Sequence, residues 1–561
     1  MSELTFAPEF IADLIKWERV ILNIVGRLRN IPTDSVDFML TDSQSGEQVK
    51  LDDVMFQGDR FLIRFNMITA YTDRKVLPNG KWSIAAVSRD NGVIYPLVAG
   101  DHLFTDEGYD DEYVGASMWD KLMRFQKVVR KGTNYCYTLS VAMSQSGELA
   151  LESEYIAPPD PTALQKFAST MRYLFGPIAN YILHRGFIVI FKVTSLFAKH
   201  KGNRILFASD SRKELSGNMK DVYDRMVERG LDKEYKIGFC LKENVSARRN
   251  LIEKIRTPYL LASADIIIID DFNPTVKQCK FKPSVKVIQL WHACGAFKTV
   301  GFSRTGKAGG PFITNDNHRV YTHAIASSSH VARFYCEAFG MTKDMVYPTG
   351  VPRTDVFFSA DYRRDTRERM LKEIPAAVGK RVILFAPTFR GNGAKSGKYP
   401  MNMLDMNKIA KMCRDTNSIF VFKMHPFVHN PVIIPEEHSD VIIDCTSYRE
   451  INDILFITDL LITDYSSVVY EASTLDIPML FYAYDLEKYV SSRDFYEPFE
   501  SFVPGKIVTE FEDMIKAIYE GDFEQEKVAP FCERNFEYRD GGSTDRVIDW
   551  LILGNLPQGR G

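Results

Sequence analysis

Residues 459–506 read DLLITDYSSVVYEASTLDIPMLFYAYDLEKYVSSRDFYEPFESFVPGK. The stretch opens on an apolar run, 460–463, of a length suited to a strand buried on both faces. Asp464, Tyr465, Ser466 and Ser467 interrupt it. Residues 468–473 then read as the first turns of a helix, with Ser466 or Ser467 as N-cap. A second apolar strand, 479–482, follows Pro478. Strand, polar turn, helix and strand make one βαβ unit. A helix N-terminus at the end of the first strand presents N–H groups beside two hydroxyls, a place for an anion. Taken alone, the fragment is more simply two serines capping a helix. Three other strand ends that carry His, Arg or Thr turn the reading toward a site.

Working outward, a series of strands and helices runs from 382 to about 508, and a similar one starts at 203. In the earlier series, 205–208, 235–240, 264–269 and 285–290 read as strands. Residues 219–229 and 247–256 read as helices, the second stopped by Pro258. Alternation of this kind belongs to a parallel sheet with both faces covered. The expected fold is α/β: two Rossmann-like domains, 205–360 and 361–540, with a cleft between them. Residues 541–561 make a C-terminal helix and tail, the helix at about 544–553 packing back on the first unit. Residues 1–157 are β-rich, with strand-like runs at 61–65 and 82–87 and hairpin signals at Asn79-Gly80 and Asn91-Gly92. A small β-sandwich with an accessory role is expected there, bounded by Pro158, Pro159 and Pro161.

Between these parts, 158–204 reads as a basic amphipathic helical linker. Residues 161–209 contain no Asp or Glu, and Lys192, Lys199, Lys201 and Arg204 alternate with aromatic and aliphatic side chains. That composition suits a helix lying on an anionic bilayer surface, and equally a linker whose apolar face packs on its neighbour.

The 561 residues allow about three domains, and the net charge of −3 gives no reason to expect a nucleic-acid partner. The eight cysteines include no C-x-x-C pair and no zinc spacing, so reduced thiols in a cytosolic protein are expected. No cofactor is expected, and His292 and His425, far apart in sequence without nearby carboxylates, resemble no metal site. The N-terminus lacks the apolar core of a signal peptide, and no run reaches the roughly 18–20 apolar residues of a spanning helix.

Chemistry gathers at the strand ends. QLWHACGAFKTVGFSRTGKAGGP, 289–311, offers His292, Gly295, Lys298, Arg304 and Lys307 in a glycine-bearing loop suited to a phosphate ligand. VILFAPTFRGNG, 382–393, offers Thr388 and Arg390; IFVFKMHPFV, 419–428, offers Lys423 and His425. Arg353 follows Pro352 in YPTGVPRTD, 347–355. One strand-end His is more often structural than catalytic. Two, one in each unit, suit a general base and an anion stabiliser facing each other across a cleft. Without a bound divalent ion, phosphoryl transfer here would rest on these cations and helix ends.

The segments WHACGAFKTVGFSR, FAPTFRG, KMHP, LITDYSSVVYEA and DFYEPFESFVPGK resemble the CDP-glycerol glycerophosphotransferase family of wall teichoic acid primases and polymerases. The likeness covers about residues 200–550. The usual first motif of the family, W-H-G-T-P-x-K, here reads WHACGAFK. This variant and the β-rich N-terminal part look most like the ribitol-phosphate polymerase branch. The resemblance implies a metal-independent GT-B-type fold, with an acceptor-side first domain and a donor-side second domain. It implies peripheral attachment to the cytoplasmic face of the membrane, and transfer of ribitol phosphate from CDP-ribitol to an undecaprenyl-linked acceptor. CDP-glycerol is the alternative donor, a non-catalytic scaffold is a more distant alternative, and a homo-oligomer is left open. His292 is then the base, and His425 stabilises the CMP leaving group. Arg353, Thr388, Arg390, Ser466 and Ser467 line the donor site, with Gly295, Lys423 and Gly505 beside them. Lys298 and Arg304 serve acceptor or phosphate, and Lys192, Lys199, Lys201 and Arg204 meet the anionic bilayer.

Overall fold

Short, mostly apolar runs make the centre of the molecule. Ile266–Ile269, Ser418–Phe422, Leu460–Thr463 and Met479–Tyr482 are strands buried at every position. A strand alternates its side chains between faces, so such runs are stable only inside a sheet covered on both sides. The computed structural model describes residues 7–100, 103, 123–129, 133–156, 162–163, 178–247, 249–307, 310–391, 396–448, 450–492 and 494–557.

Two six-stranded parallel sheets hold these runs. The first is ordered Lys236–Leu241, Arg204–Ser209, Ile266–Ile269, Lys286–Gln289, His323–Ile325 and Val346–Tyr347. The second is ordered Ile442–Asp444, Ser418–Phe422, Arg381–Phe385, Leu460–Thr463, Met479–Tyr482 and Lys506–Val508. In the first, Leu206, Ile267 and Val287 enter one core while Ile205, Ile266 and Ile288 enter another on the opposite face. The second sheet divides in the same way, Leu384 and Val421 to one side, Phe385 and Phe422 to the other.

The C-terminal segment completes the first sheet. Helix Ser543–Arg546 continues as wider π-type turns, Val547–Ile552, whose Val547, Ile548 and Leu551 share a core with Ile205 and Phe207. Asp545 bridges to Arg225 at 2.8 Å and to Arg229 at 3.0 Å.

The helix placed at 247–256 instead runs over Leu251–Ser263, with Pro258 inside it. Asn250 accepts from the Glu253 amide at 2.8 Å and donates its own amide to Glu253 Oε2 at 2.9 Å, a capping box that sets the start. Proline removes one intrahelical bond. Burial of Thr257, Pro258, Leu261 and Ala262 against the sheet offsets that loss.

The N-terminal part is not a sandwich of two separate sheets. Its described strands, from Glu9–Glu18 to Leu149–Ile156, join in one eleven-stranded sheet. Strand Ile94–Ala99 is paired along both edges, antiparallel to Gly80–Ser88 and parallel to Glu9–Glu18, and so ties the two halves together. Its core takes in Phe302, Phe312 and Ile313 of the first α/β unit. Parts of the expected helical linker, residues 158–161 with its boundary prolines and residues 164–177, lie outside the described residues; helix Ile178–Phe197 follows.

Candidate active site at the strand ends

Strand Lys286–Gln289 ends in a sharp turn. Trp291 is held at φ +52°, a left-handed backbone that costs a tryptophan roughly 1 kcal/mol or more. Gln289 spans the turn: its carbonyl accepts from the Trp291 amide at 2.9 Å and its amide donates to the Asp271 carbonyl at 3.1 Å. Trp291 is buried against Phe339, while His292 stays about half exposed with its ring 4.4 Å from the indole. His292 Nδ1 lies 3.8 Å from Asp271 Oδ1. Burial in the crevice lowers the His292 pKa, Asp271 opposes that, and Arg353 and Arg212 add to the lowering. The neutral ring is therefore the form present at physiological pH.

Asp270, next to Asp271, is buried and pairs with Arg212 at 3.1 Å; burial pushes its carboxyl up to about 6. Buried Asn218, at the start of helix Asn218–Glu228, donates to the Trp291 carbonyl at 2.8 Å and accepts from the Arg353 amide at 3.0 Å. One side chain thus fixes the His292 turn and the Arg353 turn together. Sequence reading missed it, because an Asn at a helix start reads as a cap.

Arg353 binds Glu471, which lies in helix Val468–Thr474 beyond the second sheet. Cys294 Sγ donates to the same carboxylate at 3.4 Å. Burial alone would lower the arginine's pKa; the Glu471 carboxylate holds it above its ordinary value. Burial pushes the Cys294 thiol up to about 12, so it is a neutral donor. The loop 291–298 also enters the core of the second sheet, Cys294 and Phe297 clustering with Tyr465, Tyr470 and Phe502. Gly295 has a packing reason: a Cβ there would sit 2.0 Å from Tyr470 Cε1. Gly505 has a similar one, 2.2 Å from the Met479 carbonyl oxygen.

His425, just past Ser418–Phe422, is partly buried between Phe389 and Phe427. Its Nδ1 accepts the Phe427 amide at 3.1 Å. Burial lowers its pKa, and the charges of Lys298 and Lys423 lower it further. Lys298 comes from the other unit, in the same loop as His292, and its ammonium stands 5.3 Å from the Tyr489 ring centroid. Lys423 is buried and reaches the Thr446 carbonyl at 3.4 Å; burial lowers its pKa. Arg304 closes the short turn Gly301–Arg304, and Lys307, one of the cations read as phosphate-binding, pairs with Asp494.

Asp464 organises the TDYSS turn. Its Oδ1 accepts from the amides of Thr388 at 2.7 Å and Tyr465 at 2.6 Å, and its Oδ2 from Arg390 at 2.9 Å. Arg390 also binds Asp485 twice, at 2.7 and 2.8 Å, and the Thr388 carbonyl at 2.7 Å. Four of its five N–H groups are thus committed within the protein, so it acts mainly as a strut. The Thr388 hydroxyl is buried with no hydrogen-bond partner among the described residues. Ser467 occupies the N-cap position without a side-chain cap bond, whereas Ser466 Oγ accepts from the Val468 amide at 3.4 Å. Helix Val468–Thr474 has only seven residues, so few aligned peptide dipoles back its N-terminus.

Lys192, Lys199 and Lys201 are exposed at and beyond the end of helix Ile178–Phe197, while Arg204 is half-buried at the start of its strand. Among the described residues no helix is long and apolar enough to cross a membrane.

Two parallel α/β sheets are thus bridged by a histidine-bearing loop, with cations gathered at the strand ends of both. Residues 190–553 match the family described as CDP-glycerol:poly(glycerophosphate) glycerophosphotransferase, and the chain belongs to that family. It is similar to the teichoic acid ribitol-phosphate polymerase TarL of Staphylococcus aureus (strain NCTC 8325 / PS 47), 41% identical over 96% of this chain and 98% of that one. TarK of the same organism, also a teichoic acid ribitol-phosphate polymerase, is 47% identical over 76% of this chain and 84% of its own. The solved wall teichoic acid polymerase TagF shares the α/β fold, with a TM-score of 0.54 at 22% identity over 70% of this chain and 98% of that one.

Proposed function

We propose that the protein polymerises ribitol phosphate, moving it from CDP-ribitol to the terminal hydroxyl of a lipid-linked teichoic acid chain and releasing CMP. The observation that carries this reading is the 41% identity, across nearly the whole chain, to a ribitol-phosphate polymerase. CDP-glycerol, the donor in the family's description, is the second reading.

In this reading the two parallel sheets form a GT-B-type pair. The donor lies outside the second sheet, where the strand order reverses between Arg381–Phe385 and Leu460–Thr463. Thr388, Ser466 and Ser467 follow those two strands, and the unpartnered Thr388 hydroxyl supports a polar ligand there. Neutral His292 takes the proton of the acceptor hydroxyl on Nε2, with Asp271 facing Nδ1. The freed oxygen bonds to the phosphorus that carries ribitol. The bond from that phosphorus to the CMP oxygen breaks, and CMP leaves with the electron pair. His425 donates from Nε2 to the leaving phosphate, while Lys298 and Lys423 supply positive charge. Arg353 acts through its buried pair with Glu471, holding the two units in register. Attachment is peripheral, Lys192, Lys199, Lys201 and Arg204 meeting an anionic inner leaflet.

The test is CMP release from CDP-ribitol and CDP-glycerol, side by side, with a lipid-linked primed acceptor and EDTA present. Turnover with CDP-ribitol alone is expected. Turnover with CDP-glycerol alone moves the protein to the glycerol branch, and CMP from neither overturns the enzyme assignment.

A further inference from the structure

Helix Ile178–Phe197 has a concave groove along each side. One groove, of about 510 Å³, runs between the helix and the loop 278–282. Phe187, Ile188 and Phe191 give it an apolar floor with Leu196 at its rim, and Lys192, Lys280 and Lys282 line it from two separate elements, the Lys282 ammonium also donating to the Ala198 carbonyl at 3.4 Å. No Asp or Glu lines it among the described residues. The other groove, of about 610 Å³, is shared with Tyr259 of helix Leu251–Ser263 and carries Lys199, Lys201, Arg204 and Lys236. Large apolar side chains stand out from the helix at the grooves, Leu196 at 77% exposure and Phe197 at 79%.

A flat bilayer face can cover protruding side chains, but it cannot fill a concavity. A single chain leaving the bilayer can. The first groove falls within the roughly 300–1,000 Å³ of a small-molecule site, and three ammonium groups without a carboxylate call for an anion. We propose that the groove between helix Ile178–Phe197 and the loop 278–282 binds one anionic lipid. Its phosphate rests on Lys192, Lys280 and Lys282, and its chain lies on Phe187, Ile188 and Leu196. This rests on the membrane-facing reading above and deepens it from general attraction to recognition of one molecule.

The probe is dihexanoyl phosphatidic acid below its micellar concentration, titrated calorimetrically into the full-length protein. Dihexanoyl phosphatidylcholine and inorganic phosphate serve as controls. Saturable binding of one phosphatidic acid per chain is expected, with both controls at least about tenfold weaker, since neither offers an accessible anionic phosphate together with a chain. Lys280→Ala with Lys282→Ala should weaken it by about tenfold or more, and Leu196→Ser should weaken it as well. Flotation with anionic vesicles separates this site from the general reading: Lys199→Glu with Lys201→Glu should release the protein from vesicles yet leave the short-chain titration intact. Vesicle binding that survives that change defeats the general reading while the titration still judges the site. Non-saturable uptake, equal affinity for inorganic phosphate, or indifference to Lys280 and Lys282 overturns the site.

Discussion

The Phe427 amide donates to Nδ1 of His425 at 3.1 Å, and that bond decides where the ring carries its proton. An accepting Nδ1 bears none, so the neutral imidazole is protonated on Nε2. Burial, followed by the ammonium groups of Lys298 and Lys423, keeps the second proton off. In ¹⁵N-histidine NMR, His425 should therefore appear as the Nε2–H tautomer at neutral pH and titrate below its ordinary value of 6.5. Lys298→Gln removes one of the opposing charges, so the midpoint should move up. A downward or absent shift would show that the loop bearing His292 does not act on His425.

The 3.8 Å separation of His292 and Asp271 predicts a different pH response. Asp271 raises the His292 pKa against burial, so Asp271→Asn should lower it. The acid limb of kcat/KM should then move to lower pH, because the base stays unprotonated further into acid. Loss of orientation should also reduce kcat about a hundredfold with little change in the KM for the CDP-polyol. A rise in KM alone, or an acid limb moving upward, would place Asp271 outside the proton-transfer machinery.

The positions of these two histidines past buried strands were legible, because burial on both faces makes the strands short, mostly apolar runs. Leu460–Thr463 and Met479–Tyr482 lie where the pattern puts them. Contacts between distant segments leave no such trace. Nothing in the periodicity of 347–355 or 468–474 indicates that Arg353 will meet Glu471, or that Asn218 will tie the Trp291 carbonyl to the Arg353 amide. Arg390 read as a phosphate ligand because an Arg past a strand looks free until Asp464 and Asp485 are seen to occupy it. Pro258 read as a stop because a local rule cannot weigh the burial that keeps the helix going.

The Arg353–Glu471 pair, with side-chain exposures of 30% and 4%, should behave as a buried ion pair. Glu471→Leu strands a guanidinium and should cost about 3–5 kcal/mol in chemical denaturation. Adding Arg353→Met should recover much of that loss, since an apolar pair of similar volume avoids the uncompensated charge. Activity should stay low in both variants if the pair sets the register of the two units. Recovery of kcat in the double variant would reduce the pair to a stability element.

Gly295 separates a packing role from a ligand-cradling role. An alanine Cβ would stand 2.0 Å from the ring of Tyr470, which is fully buried and cannot swing to solvent. Gly295→Ala should therefore cost about 1–3 kcal/mol as an overpacked contact. Tyr470→Leu shrinks the neighbour and should absorb part of that cost, giving a coupling energy of about 1 kcal/mol or more in the double-mutant cycle. The same relief should return kcat, because Gly295 lies three residues from His292 in a loop whose Cys294 and Phe297 share a core with Tyr470. A residue whose task is to bring its amide to the donor would instead raise the KM for the CDP-polyol without coupling to Tyr470. Additive stabilities together with a KM effect would assign Gly295 to the ligand and leave Tyr470 a bystander.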